Sequence, residues 1–570
     1  MADMQEIEKK LWEAADKMRN NMDPAEYKHV VLGLIFLKYI SDRFEAQYQM
    51  IKNDNGDVEH KDEYTAEGVF FVPEKARWEN IKKASPLPSI GEVIDGAMLS
   101  IEKENSQLQG VLEKRYSREE LDKTKLGELI NIITDIETYT KTKTEELDLI
   151  GRIYEYFLGR FASSEGKGGG EFYTPSSIVK TLVEMIEPYK GRVYDPCCGS
   201  GGMFVQSEEF VKNHQGRIED ISIYGQESNS TTWKLAKMNL AIRGIEGNLG
   251  QSYADTFLND QHKRLDADFV LANPPFNISD WGQENIKDDD RWLYGVPPKG
   301  NANYGWLQHI LSKLSHNGVA GVVLANGSLS TSTNEELIIR KGMLEADKID
   351  AIVALPEKLF YTTGIPVSLW ILNNNKSTNS NYRSRKNEVL FIDARNLGQM
   401  IDRKTRELTQ EDVSKIANVY HEWRTKDGDY IDIAGFVKSE TLEEIEKNNY
   451  VLTPGRYVGI EEVEDDGISF EEKMTELTKK VLEFLEPDTS KWEYWTTSQP
   501  LNSISESACM ERFKKRIAQA VSNCEKVIVA GDYDCDGISA TTIMVSGLRK
   551  LDLECGFYIP DRIKEGYGLS

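Results

Sequence analysis

The chain has 570 residues, enough for three or four domains at roughly 150 residues each. Lys and Arg number 69 against 94 Asp and Glu, a formal charge of −25, and 39% of residues are hydrophobic. That balance belongs to a folded globular chain. It excludes a disordered polymer and a protein that grips nucleic acid with its whole surface, so any DNA contact must be local or borrowed from a partner. The longest apolar run, Val30 to Ile40, contains Lys38 and is too short to cross a bilayer. The opening MADMQEIEKKLWEAAD lacks the apolar stretch of a secretory signal, so a cytoplasmic location with no membrane contact is expected. Of six cysteines, Cys197 and Cys198 lie early, while Cys509, Cys524, Cys535 and Cys555 crowd the end. None has paired metal-site spacing, so reduced thiols are expected. The late jump in frequency points to a different origin for the tail.

Residues 1–150 read as a helical domain. Asp23-Pro24-Ala25-Glu26 suits a helix start, and the following VVLGLIFLKYISDRF repeats apolar residues at three and four. Leu126 to Tyr139 repeats the pattern, with no catalytic constellation. A glycine-rich stretch, Ser163 to Gly170, comes next. Across residues 151–447 short apolar runs alternate with helical patterns. RVYDPCC, SIYGQE, ADFVLANPP, VAGVVLAN, IDAIVALP and EVLFIDA each read as a strand ending in a polar or glycine-rich turn. That alternation predicts an α/β domain with a mainly parallel sheet and ligands at the strand C-terminal ends. From residue 405 to about 487 charged helical patterns return, and an amphipathic helix is expected over Glu471 to Glu486. A linker over Glu486 to Ser503 precedes a second strand–loop–helix unit beginning at KVIVAGDYDCDGIS.

Three motifs carry chemistry. DPCCGSGG, Asp195 to Gly202, follows a strand and opens a helix, where glycines let a ligand approach the backbone; its spacing is not that of a dinucleotide fingerprint. GQES, Gly225 to Ser228, ends the next strand with Glu227 placed to accept from ribose hydroxyls. NPPF, Asn273 to Phe276, stiffens a strand end. The Asn273 amide can accept from an exocyclic amine, and Phe276 can stack on an extruded base. Taken singly, each motif also reads as an ordinary turn or an exposed strand-end carboxylate.

In this order, FYTP (Phe172 to Pro175), DPCCGSGG, GQE and NPPF resemble the N6-adenine DNA methyltransferases. NYGWLQHIL, LPEKLFYTTGIPVSLWIL, LFIDAR and NNYVLTPGRYV narrow the likeness to the modification subunits of type I restriction–modification systems, over about residues 1–487. The resemblance implies a Rossmann-like domain that binds S-adenosylmethionine. Glu171, Phe172, Tyr173, Thr174, Pro175 and Ser176, with Asp195, Ser200, Gly201 and Gly202, would line the cofactor. Glu227 would hold the ribose, and Asp255 would lie near the cofactor adenine. Asn273 and the Pro274 carbonyl, with Pro275 stiffening the loop, would hold the amine of a flipped adenine under Phe276 while its nitrogen attacks the sulfonium methyl in line. No metal is implied for methylation. The implied partners are double-stranded DNA, a specificity subunit (two modification subunits to one), on which residues 448–487 would dock as a helical segment, and a restriction subunit.

Residues 488–570 resemble the start of RecJ-like DHH single-strand DNA exonucleases. GDYDCDG (Gly531 to Gly537) follows the strand KVIVA, and Asp532, Asp534 and Asp536 are the implied Mn²⁺ or Mg²⁺ ligands. The DHH triplet and later ligand motifs do not follow, so a partial, inactive α/β fragment is expected, with strands near 526–530 and 554–559 around a helix near 538–551. Two competing functions are an assembly-defective scaffold and a metal-dependent phosphoesterase acting through the tail.

Overall fold

A computed structural model describes residues 11–460, apart from positions 14, 17–23, 137–149, 151–152, 155, 162–173, 215, 218–219, 332, 361–363 and 404. It also describes 508–558, apart from 524–525, 531–543, 546–547 and 550–554. The chain divides into two compact units, Met1–Glu462 and Val463–Ser570.

The first unit begins with helices. Helix α1 (Pro24–Asn53) is buried continuously from Tyr27 to Asp42. A helix apolar on every side has to lie inside a bundle, and Lys38 is tolerated there because Asp42, one turn on, neutralises it at 2.5 Å. Helix α2 (Ile90–Glu104) packs through Ile90, Ile94, Met98 and Ile101, an i, i+4 stripe. Helix α3 (Lys123–Thr134) starts where the Asp122 side chain accepts from the N–H groups of Thr124 and Lys125, and it buries Leu126, Leu129, Ile130 and Ile133. These helices share one continuous apolar core with one face of the sheet domain.

The sheet domain opens with helix α4 (Ser176–Ile186) and strand β1 (Gly191–Asp195). Helix α5 (Gly202–Asn213), strand β2 (Ile221–Gly225), helix α6 (Ser230–Ile242) and the two-residue β3 (Gly247–Asn248) follow. Then come β4 (Ala267–Ala272), α7 (Asn303–Lys313), β5 (Leu314–Ala325), α8 (Asn334–Glu345), β6 (Ile349–Ala354), β7 (Val367–Asn373), β8 (Glu388–Asp393), α9 (Gln410–Arg424) and β9 (Val437–Thr441). The nine strands run in the order β9-β8-β6-β7-β5-β4-β1-β2-β3. Five pairings are parallel; β7 runs antiparallel to β5 and β6, and β9 to β8. Strands β6 and β7 are buried at every residue because helices cover both faces of the sheet centre.

All six strands anticipated from apolar runs are present. Three more were not legible as strands: β7, β3, and β9, whose VKSET sequence lies in the stretch expected to be helical. An edge strand is paired on one side only and needs little apolar surface. Residues 448–460 form no helical arm. They pack on the sheet domain: the Leu452 N–H donates to the Leu329 carbonyl, and Tyr457 stacks on Phe391 at 4.0 Å. The amphipathic helix expected at Glu471 to Glu486 lies outside the described residues.

In the second unit, helix α10 (Ala508–Ser522) precedes β10 (Val527–Ala530) and β11 (Cys555–Tyr558), which pair in parallel with Val527 opposite Cys555. Both expected tail strands form. Of the helix expected between them only 544–545 and 548–549 are described, and both are helical.

Candidate active site

The site grows from two neighbouring strand ends. Asp195, last in β1, lies level with Gly225, last in β2, while Tyr194 faces Val270 of β4. The loops that follow therefore meet on one rim. The glycine loop and the β2 loop are laced together by their backbones: the Gln226 N–H donates to the Asp195 carbonyl at 3.0 Å, and the Cys198 N–H to the Gln226 carbonyl at 2.9 Å. Glu227 completes the lacing, one carboxylate oxygen accepting from the Gly199 N–H at 3.0 Å and the other from the Asn229 N–H at 2.7 Å. Gly201 caps α5 with φ +83°, a left-handed conformation that costs other residues about 1–2 kcal/mol. A side chain at Gly225 would strike Leu249 and Phe204 within 3 Å, so the loops close only over a glycine. Asn239 of α6 ties the loop from behind, donating to the Ser200 carbonyl at 2.8 Å.

Asp195 is buried at 2% exposure, and its carboxylate accepts from the Cys197 N–H at 3.0 Å. Burial pushes its pKa up to about 7; the Cys197 N–H opposes the rise and the nearby Glu227 charge adds to it. Burial likewise holds the Cys197 and Cys198 thiols well above their usual range, so both pack as neutral groups. Asp255 lies on the segment that follows: the Ala254 N–H meets the Glu227 carbonyl, and the Thr256 hydroxyl meets the Pro196 carbonyl. The Asp255 carboxylate itself is exposed and accepts from the N–H groups of Phe257 and Leu258.

At the end of β4, Pro274 is buried, and Asn273, Pro275 and Phe276 are half-buried. The Asn273 Nδ2 donates to Thr174 Oγ1 at 2.8 Å, across 99 positions of sequence. Its Oδ1 is screened from solvent and has no hydrogen-bond partner among the described residues. Phe276 meets Phe360, which follows β6, edge to face at 5.9 Å. Thr174, which holds the Asn273 amide, also lines a narrow cleft with Ser176, Ser200, Gly202, Asn239 and Arg243, whose cavity volume is only about 20 Å³. Pro175 sits at the N-cap of α4, the helix on which Ser176 comes first. Glu171, Phe172, Tyr173, Asp532, Asp534 and Asp536 lie outside the described residues.

Residues 145–466 match the family model described as "N-6 DNA Methylase", and residues 7–133 match "HsdM N-terminal domain". The chain belongs to the type I adenine-N6 DNA methylase subunits. The HindI methylase subunit of Haemophilus influenzae is 49% identical, over 71% of this chain and 94% of its own length. The MjaIX methylase subunit of Methanocaldococcus jannaschii is 41% identical, over 85% of this chain and 89% of its own. The type I restriction-modification methyltransferase subunit structure from Streptococcus thermophilus superposes with a TM-score of 0.68 at 26% identity, covering 80% of this chain and 99% of that one.

Methyl transfer in this family implies S-adenosylmethionine. Four of the residues expected to line it, Thr174, Ser176, Ser200 and Gly202, meet on one cleft of this methylase. Residues that sequence reasoning missed are Phe360, Asn239 and the hub Gln226, which is fully buried and bonds to Ala254, Asn259 and Gln261. Gln226 lay in a motif that drew attention to its neighbour Glu227. Among the described residues of the methylase no three His, Cys, Asp or Glu side chains gather as a metal site, and no helix is long and apolar enough to cross a membrane.

Proposed function

We propose that this methylase adds a methyl group to N6 of an adenine extruded from double-stranded DNA, at sites chosen by a separate specificity subunit, and so marks host DNA against a restriction subunit. The single observation that carries the reading is the state of Asn273: its amide nitrogen is held by Thr174, and its oxygen is buried without a donor. A buried acceptor without a partner costs free energy, and an exocyclic amine is the donor that relieves it.

Bound S-adenosylmethionine would supply an electrophilic methyl on a sulfonium. Thr174, Ser176 and Ser200 to Gly202 would hold its body, and Glu227 would take the ribose hydroxyls. Asn273 Oδ1, with the Pro274 carbonyl, orients the adenine amine by accepting its hydrogens. Those acceptors grow stronger partners as positive charge develops on the nitrogen, so they stabilise the transition state more than the ground state. Phe276 stacks on the base, and its edge-to-face contact with Phe360 steadies the ring. Because Oδ1 is screened, an entering base must displace its cover, and water is excluded from the amine once it seats.

Residues 448–460 pack on the sheet domain, so docking on the specificity subunit, two methylases to one, would fall to the sequence after them. The tail from residue 488 is read, on its GDYDCDG motif, as resembling the start of a DHH phosphoesterase. The test is reconstitution with a specificity subunit and mapping of methylated adenines. Asn273→Ala is expected to abolish methylation while leaving calorimetric cofactor binding intact. Near-normal methylation by that variant would mean that NPPF is only a turn.

A further inference from the structure

The residue after Phe276 is held in an unusual way. Asn277 has φ +55°, a left-handed conformation, so the chain turns sharply as it leaves the aromatic ring. Its N–H donates to Asn303 Oδ1 at 3.0 Å, and its own Oδ1 accepts from Asn303 Nδ2 at 2.9 Å. Asn301 donates to the same oxygen at 3.3 Å, and the Ala302 N–H closes the turn on the Ile278 carbonyl at 3.0 Å. Asn303 is 1% exposed and is the first residue of α7, yet both ends of its amide serve Asn277. The helix behind it is anchored by Tyr304, Leu307 and Ile310 in the second apolar core and by the Tyr304 hydroxyl on the Ser328 carbonyl.

We propose that Asn303 and Asn277 form a positioning pair that sets the direction of the Phe276 ring, and through it the wall against which the extruded base stacks. Burying an amide to make two bonds with a single neighbour adds nothing to the cap of α7, where the N-cap is Ala302 and no side chain caps the helix. The two bonds do fix the backbone one residue from Phe276. A ring carried by a loop has to be held to a fraction of an ångström if stacking is to seat the adenine amine on Asn273, and a two-point amide bond to a rigid helix supplies that restraint. The proposal rests on the adenine methylase reading above.

The experiment uses the full chain reconstituted with a specificity subunit, adenine-containing target DNA for the methylation rate, and a parallel duplex carrying 2-aminopurine in place of the target adenine, whose fluorescence rises when it leaves the stack, for extrusion alone. Asn303→Ala is expected to slow single-turnover methylation about tenfold or more and to reduce the extrusion signal, with cofactor affinity within about twofold of wild type. Asn277→Gly keeps the left-handed backbone and removes the amide; it should show the same loss, which guards against misfolding of the first variant. Asn303→Asp retains the acceptor for the Asn277 N–H and should stay faster than Asn303→Ala. In a Phe276→Ala background, Asn303→Ala should add less than about a twofold effect, because its path of action is already gone. Equal slowing in both backgrounds, or unchanged rates in both single variants, overturns the proposal. Absence of methylation by the wild-type complex sinks the methylase reading and this one together.

Discussion

Thr174→Val removes the hydroxyl that orients the Asn273 amide and changes the shape of the site very little. In the wild type, Nδ2 donates to Thr174 Oγ1 at 2.8 Å, which leaves Oδ1 as the acceptor that the proposed mechanism offers to the adenine amine. Without the hydroxyl the amide loses its preference between two orientations related by exchange of nitrogen and oxygen. The wrong orientation sets an NH₂ against an NH₂. The lost bond, with a half-buried donor left unsatisfied, is worth about 1–3 kcal/mol. At about 1.4 kcal/mol per tenfold, that corresponds to roughly a 5- to 150-fold fall in the single-turnover rate. The assay is methyl incorporation by the reconstituted complex at saturating S-adenosylmethionine, so that contact of Thr174 with the cofactor cleft does not confuse the reading. Thr174→Ser keeps the hydroxyl and should stay near wild type. If Thr174→Val methylates as fast as wild type, Thr174 does not orient the amide.

Three further outcomes are expected. The pKa of Asp195, near 7, stands above its unfolded value of about 3.9, so folding favours the protonated acid; the stability it contributes is full below about pH 4 and is lost as pH rises through about 7. Asp195→Asn should therefore gain in melting temperature relative to wild type between pH 5.5 and about 8, and parallel curves would count against burial as the cause. At Glu113 burial favours the acid, but Lys234 at 2.5 Å and Arg115 outweigh it and hold the carboxyl low, so Lys234→Met should cost about 1–2 kcal/mol near neutral pH and less in acid, as read by denaturant melts. Deleting residues 488–570 should leave methylation by the complex intact, since every described site residue belongs to the first unit; a loss of rate would give the tail a role in assembly.

Much of the rim was legible in the sequence. Six strands announced themselves as apolar runs closed by turn residues, and the motifs DPCCGSGG, GQE and NPPF were placed at the strand ends where the structure has them. These are local signals, carried by periodicity and by the few residues that tolerate tight turns. Strand β9 escaped because an edge strand such as VKSET needs no apolar pattern, and β3 because two exposed residues carry none. The charge state of Asp195, the hydrogen bond that the Asn273 amide donates to the Thr174 hydroxyl, the contact of Phe276 with Phe360 and the Asn277–Asn303 pair were decided by the tertiary structure alone. Each joins segments from 26 to 99 positions apart, or depends on how much water a neighbouring strand excludes. The sheet brings β1 and β4 side by side although β2, β3 and two helices separate them in sequence. A side chain's partner and protonation follow from that adjacency, because burial and hydrogen bonding act over a few ångströms of space and take no account of distance along the chain.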